Sequence, residues 1–292
     1  QHNMVVTGTY GTIVTSNASN QRWADVTMRV GTPAMDNTHD QNRASGMSSG
    51  PLPLTDDRDA IARTLWELTN REYRRASPAY EKVMTNTAVE AAEEDKSPDF
   101  SVEIPQTEVD PPAAPVAFNQ KDWEDKIRKY SAAFRKYPKI YSSTVTLQIN
   151  QSTSYFISSE GSRVETPGLM ARLVIEANTR ADDGMDLVRV ETFESARPEG
   201  LPSEKEIAAK EEKMAADLMA LRQAPLAEPF DGPALLSGRA SAVFFHEVLG
   251  HRLEGHRQRG ETEGQTFTKK VNLPVLPNFL SVYDDPPVGG MN

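Results

Sequence analysis

Three of the chain's five histidines, together with two glutamates, fall in residues 244–256, the stretch FFHEVLGHRLEGH, where they follow an apolar run. This composition reads as a metal site. A neutral imidazole is a good zinc ligand, and a glutamate beside it can take a proton from a metal-bound water whose pKa the ion lowers to about 7. His246 and His251 are the expected metal ligands and Glu247 the expected general base, which are the parts of a metallohydrolase.

The spacing sets a geometric demand. In the common zinc-peptidase motif H-E-x-x-H the histidines stand four apart on one helical face, whereas His246 and His251 stand five apart. At 3.6 residues per turn a five-residue step rotates roughly 140° and rises about 7.5 Å, so a regular α-helix would point the two rings apart. A π-bulge, which widens one turn and recurs at functional sites, would align them. Gly250 is expected to ease that distortion because glycine tolerates strained backbone angles. The other reading of the same residues is an exposed polar stripe, since Glu247, His251 and Glu254 recur at i, i+4 and i+7.

These residues resemble the TldD/PmbA proteins, also described as proposed modulators of DNA gyrase. The likeness is carried by H-E-x-x-x-H followed by L-E-G, here His246-Glu247 to His251 and Leu253-Glu254-Gly255. Ser158-Ser159-Glu160-Gly161 resembles the family's N-S-E-G turn, and the run up to Pro225 and the stretch FLSVYDDP at 279–286 add to the match. In TldD-type members, the resemblance implies, the two histidines bind zinc, the glutamate is the base and a cysteine much later in the chain completes the site. This chain contains no cysteine. The third ligand is therefore expected outside it.

Composition bounds the alternatives. A length of 292 residues suggests about two domains. A formal charge of −10 argues against a phosphate-binding surface, because nucleic-acid binders draw most of their affinity from Lys and Arg. No run of apolar residues is long enough for a transmembrane helix, and the polar residues from Gln1 onward lack a signal peptide's apolar core. The chain is expected to start and stop inside a longer protein, so an exported form stays open beside the cytoplasmic location that the family implies.

The expected fold class is α+β: antiparallel sheet units with packed helices, then the truncated start of a catalytic domain carrying the HExxxH helix. The expected domains are 1–88, an N-terminal α/β unit; 89–118, a linker or edge-running arm; 119–228, a middle unit of antiparallel sheet and helices; and 229–292, the start of a metallopeptidase domain. In the first unit, Ala24, Val26, Met28 and Val30 alternate with Asp25, Thr27 and Arg29, so residues 4–14 and 22–30 are expected to pair as a hairpin across turn-like residues 15–20. Residues 31–55 are expected to be a loop with His39 at the surface. Thr55 or Asp56 should cap a helix carrying Ile61, Leu65, Leu68 and Tyr73 until Pro78, with Trp66 and Tyr73 as packing groups.

Farther on, Trp123, Ile127, Tyr130, Phe134 and Tyr137 trace one helical stripe ended by Pro138. Strand patterns at 143–150, 154–158, 169–177 and 186–194, with turns at Glu160-Gly161 and Asp182-Asp183-Gly184, predict an antiparallel meander. Ser203 and Glu206 form a capping box opening a helix, residues 234–236 read as a short buried strand, and residues 239–256 as the motif helix.

The function these residues point to is a zinc-dependent peptidase acting on peptides or unfolded protein segments, with a metal-activated water as nucleophile. The family resemblance implies a homodimer, or a heterodimer with a TldD/PmbA-like subunit. No nucleic acid and no membrane is expected as a partner. The alternative of a different class is a non-catalytic structural or regulatory subunit of such a complex. A DNA-binding regulator has the wrong charge.

Overall fold

Residues 143–150 alternate as expected, and the strand they form is the centre of the largest sheet. The computed structural model describes residues 1–39, 47–89, 98–111, 116, 119–255, 257 and 264–283. In chain order they form strands β1 (His2–Thr9), β2 (Thr12–Asn20), β3 (Arg22–Thr27), β4 (Gly31–Thr32), β5 (Met35–Asp36), β6 (Met47–Leu52), β7 (Thr107–Val109), β8 (Ser142–Ile157), β9 (Arg163–Arg180) and β10 (Asp186–Ser195). The helices are α1 (Arg58–Val89), α2 (Gln120–Ala132), α3 (Glu204–Arg222), α4 (Gly238–Phe245) and α5 (His251–Leu253). The fold is α+β with mainly antiparallel pairing. By its contacts the chain divides into two units, the described parts of Gln1–Gln21 with Ile104–Glu228, and of Arg22–Glu103 with Pro229–Pro286.

In the first unit the strands run in the order β10-β9-β8-β1-β2, all antiparallel, with β7 added in parallel to Arg163–Glu165 of β9. Side chains of a strand alternate between faces. One face therefore collects Met4 and Val6 from β1, Val145, Leu147 and Ile149 from β8, and Ala171, Leu173, Ile175 and Ala177 from β9, all nearly or fully buried. In register, Val6 stands opposite Leu147 and Leu147 opposite Leu173. The aromatic stripe of α2 and of the 3-10 turn after it covers this face through Ile127, Tyr130 and Phe134, and α3 covers it through Ile207, Met214, Ala215 and Leu218. Asn119 caps α2 by accepting from Lys121 and Asp122, and the Ser203–Glu206 capping box on α3 is complete. A cap of this kind is worth about 1 kcal/mol.

The hairpin of residues 1–30 is built differently from expectation. Its turn is Tyr10-Gly11, both at positive φ (45° and 79°), which is the backbone of a two-residue hairpin turn. Residues 15–20 continue β2 instead of looping, because an edge strand with one side open tolerates a polar sequence. The hairpin joins β8 across a gap of more than a hundred residues, so residues 1–21 belong with the 119–228 sheet and not with the helix at 58–89. Local periodicity cannot report such a pairing. The meander at 142–195 has its turns where predicted, with Gly161 and Gly184 at positive φ, and the two strand segments at 143–150 and 154–158 are one long β8. Residues 107–109 of the expected linker run along the sheet as an edge arm; residues 112–115 and 90–97 lie outside the described residues.

In the second unit β3 pairs with β6, which occupies part of the expected 31–55 loop. α1 packs on both strands, with Leu68 over Gly50 of β6; Ala76 and Val83 are buried, as is Glu72, which is bonded by Ser48 and Arg75. Asp57, one residue later than expected, caps the helix by accepting from the Asp59 and Ala60 amides. The helix runs on through Pro78 because Ala76 and Val83, on either side of it, keep the same buried face. Trp66 and Tyr73 are exposed at 65% and 54%, so neither is the packing group its type suggested. His39 is not a surface histidine: its ring is only 14% exposed, and Nδ1 lies 2.8 Å from Oδ1 of the buried Asp99. Residues 234–236 form no strand, and Leu235 is fully exposed.

One core group predicts a pH response. Glu211 on α3 is 3% exposed, and its Oε1 has no hydrogen-bond partner among the described residues. Burial pushes its carboxyl up to about 8, Lys136 opposes the shift and Glu212 adds to it. The neighbouring Tyr130 phenol is pushed up to about 12, first by burial and then by Glu204 and Glu211. Since the folded state holds this proton more tightly than the unfolded chain, Glu211's contribution is fully present below about 4.5 and is lost as pH rises through about 8. Glu211→Gln, neutral at every pH, should flatten the decline of unfolding free energy between pH 5 and 8 in urea titrations. An equally steep decline in the variant would contradict this.

Candidate metal centre

Ser237 opens the motif helix by accepting from the Ala240 amide, and the apolar residues Ala242, Val243, Phe244 and Phe245 carry α4 up to His246. From His246 to Gly250 the backbone is a π-helix. The His251 amide donates to the His246 carbonyl, an i to i−5 bond, and α5 follows as one short turn. The widened turn is what the five-residue spacing demands. It brings the two imidazole centroids to 4.4 Å, with the ring planes 69° apart.

One ligand atom each from His246, Glu247 and His251 lies within 4.8 Å of the others, so this group could hold a metal ion. Donors around a tetrahedral zinc at about 2.1 Å stand roughly 3.4 Å apart, and exposed side chains close that difference by small rotations. His246 and Glu247 are exposed and the His251 ring is about one-third exposed. Glu247 Oε2 sits 4.0 Å from His251 Nε2, too far for a hydrogen bond. A cleft of about 290 Å³ beside them is lined by Glu247, His251, Arg252, Arg257 and Gly264.

Gly250 does not play the part expected of it. Its φ of −52° and ψ of −60° are ordinary right-handed values, and a Cβ there would meet nothing closer than the Phe245 carbonyl at 3.7 Å. The distortion comes from the shift in bonding partner, which any residue can make.

Glu254 lies beside His251, as the i+4 to i+7 step of the polar stripe places it. The chain after it leaves the helix, at φ −57° and ψ 128°, and Glu254 Oε1 lies 2.8 Å from His251 Nδ1 while Oε2 accepts from Arg257 Nε at 2.9 Å. These bonds, the one to His251 first, hold the Glu254 carboxyl below its usual range. The signal for this contact in the sequence is the three-residue step from His251 to Glu254 within the i, i+4, i+7 pattern. His256 and residues 284–286 of the family-like stretch lie outside the described residues, and Phe279 is exposed.

No protein-family model matches the sequence, and no curated protein matches it. The chain is similar to solved structures of TldD/PmbA type. A proposed modulator of a DNA gyrase from Thermotoga maritima matches at 12% identity and a TM-score of 0.39, over 75% of this chain and 42% of its own. A second proposed gyrase modulator, from Bacteroides thetaiotaomicron, matches at 14% identity and 0.44, over 73% and 43%. TldE from Thermococcus kodakarensis matches at 11% and 0.36, over 75% and 42%. This chain spans less than half the length of each TldD/PmbA-type structure. Among the described residues no helix is long and apolar enough to cross a membrane.

Proposed function

We propose that this chain carries the metal-binding helix of a zinc-dependent peptidase that hydrolyses peptides or unfolded protein segments. The observation that supports it is the π-turn, which sets two imidazoles and a carboxylate around one point. Two neutral imidazole nitrogens suit zinc, a borderline-soft ion that favours N, S and O donors, and the carboxylate beside them is placed for a base. His246 and His251 would hold the ion, and a third protein ligand would come from sequence outside this segment. Once bound, zinc would act as a Lewis acid toward a water and the scissile carbonyl.

The chain's own residues supply the proton traffic. Glu247, on the same turn as the ligands, takes the proton from the attacking water and passes it to the leaving amine. Its exposure leaves the carboxylate accessible to both. The neighbouring cleft, of about 290 Å³, is lined by Glu247 and His251 and would place a substrate beside them. A TldD/PmbA-like partner subunit and a cytoplasmic location accompany this reading by resemblance.

The full-length protein should hydrolyse an unstructured peptide, stop on treatment with a zinc chelator and recover when zinc is returned. Hydrolysis that ignores the chelator would contradict a metal mechanism. Zinc bound without any hydrolysis would favour a structural or regulatory subunit.

A further inference from the structure

We propose that Glu254 is a positioning residue: it fixes the tautomer and orientation of His251 so that Nε2, and not Nδ1, is the nitrogen offered to the ion. The proposal rests on the metal site argued above, but its mechanical part stands on the polypeptide alone. Oε1 of Glu254 lies 2.8 Å from Nδ1 of His251. A carboxylate only accepts hydrogen bonds, so in the neutral ring the proton must sit on Nδ1 and the lone pair on Nε2. Nε2 faces Glu247, whose nearest oxygen at 4.0 Å is too distant to hold a proton there.

The arrangement depends on the three-residue step from His251 to Glu254. The Glu254 φ of −57° is still helical, so its side chain keeps the helix face of His251, three residues back, while ψ 128° carries the chain that follows away from the helix. Arg257 fixes the other carboxylate oxygen, and its amide donates to the Glu254 carbonyl at 3.1 Å, so side chain and backbone of Glu254 are both held. A histidine ligand whose second nitrogen donates to a carboxylate is a more basic and better oriented donor, and loss of such a partner typically costs about 10- to 100-fold in metal affinity.

The test compares the full-length protein with Glu254→Ala and Glu254→Gln. Two-bond proton–nitrogen spectra of the metal-free proteins, at a pH where the rings are neutral, should show His251 as the Nδ1–H tautomer in the wild type. That tautomer should be lost in Glu254→Ala and largely kept in Glu254→Gln, whose amide oxygen still accepts. Zinc affinity, measured by chelator competition, should fall about 10- to 100-fold in Glu254→Ala and much less in Glu254→Gln. A wild-type His251 protonated on Nε2, or a Glu254→Ala protein with unchanged tautomer and affinity, would overturn the proposal. Absence of peptide hydrolysis from a wild type showing the expected tautomer and affinities would defeat the peptidase reading and leave the positioning role in place.

Discussion

Replacing Glu247 with glutamine should lower peptide hydrolysis by about 10²- to 10⁴-fold while leaving zinc content unchanged. Glutamine keeps the length and shape of the side chain but cannot take up a proton, so the substitution removes the general base and little else; a positioned base is worth rate factors of that size. The variant also decides between two roles for this residue. Glu247 offers an oxygen within the same 4.8 Å group as the two imidazoles, a placement that a ligand and a base would share. Zinc stoichiometry and hydrolysis measured on the same samples separate them. Unchanged hydrolysis would remove Glu247 from the base role, and zinc loss in the variant would make it a ligand.

The second large effect concerns the frame of the sheet unit. Phe134 is fully buried, the largest such side chain among the described residues, and lies on the short 3-10 turn at Ala133–Lys136 that follows α2 and packs against α3. Removing the ring leaves a cavity where both helices meet the sheet, and Phe→Ala changes at such sites cost about 3–5 kcal/mol. Domains are stable by about 5–15 kcal/mol, so the loss is a large share of the total. Urea unfolding of Phe134→Ala, followed by circular dichroism, should show a midpoint lowered accordingly. A change below about 1 kcal/mol would mean that the helices and sheet close around the gap and that this core is less tightly specified than its burial implies.

What could be read in the sequence was what local periodicity encodes. The α2 stripe, the Ser203–Glu206 box and the β8–β10 meander each repeat on the period of their own element, and each is present. The π-turn was legible for a different reason: a five-residue histidine step cannot be reconciled with 3.6 residues per turn, so the demand for distortion was arithmetical. The misses share a cause as well. The pairing of β1 with β8 and of β3 with β6 are long-range choices, and the Tyr10-Gly11 turn lacks the Asn-Gly or Asp-Gly chemistry that marks such turns in sequence. α1 passes Pro78 because its packing face outweighs one lost hydrogen bond, a tertiary fact. His39 is buried by Asp99, sixty residues away. At the site, the expected ligands and the His251–Glu254 step were legible by type and spacing, while the bond from Arg257 to the other Glu254 oxygen was not.

The central claim is that His246 and His251, aligned by the π-turn, bind one ion together, and elemental analysis of the purified full-length protein tests it most directly. Zinc should be present at about one ion per chain in the wild type and lost from both His246→Ala and His251→Ala, with the circular dichroism of each variant unchanged, because removal of either ligand opens the same site. Zinc retained at wild-type stoichiometry in both variants, or no zinc in a folded wild type grown and purified with the metal, would contradict the account.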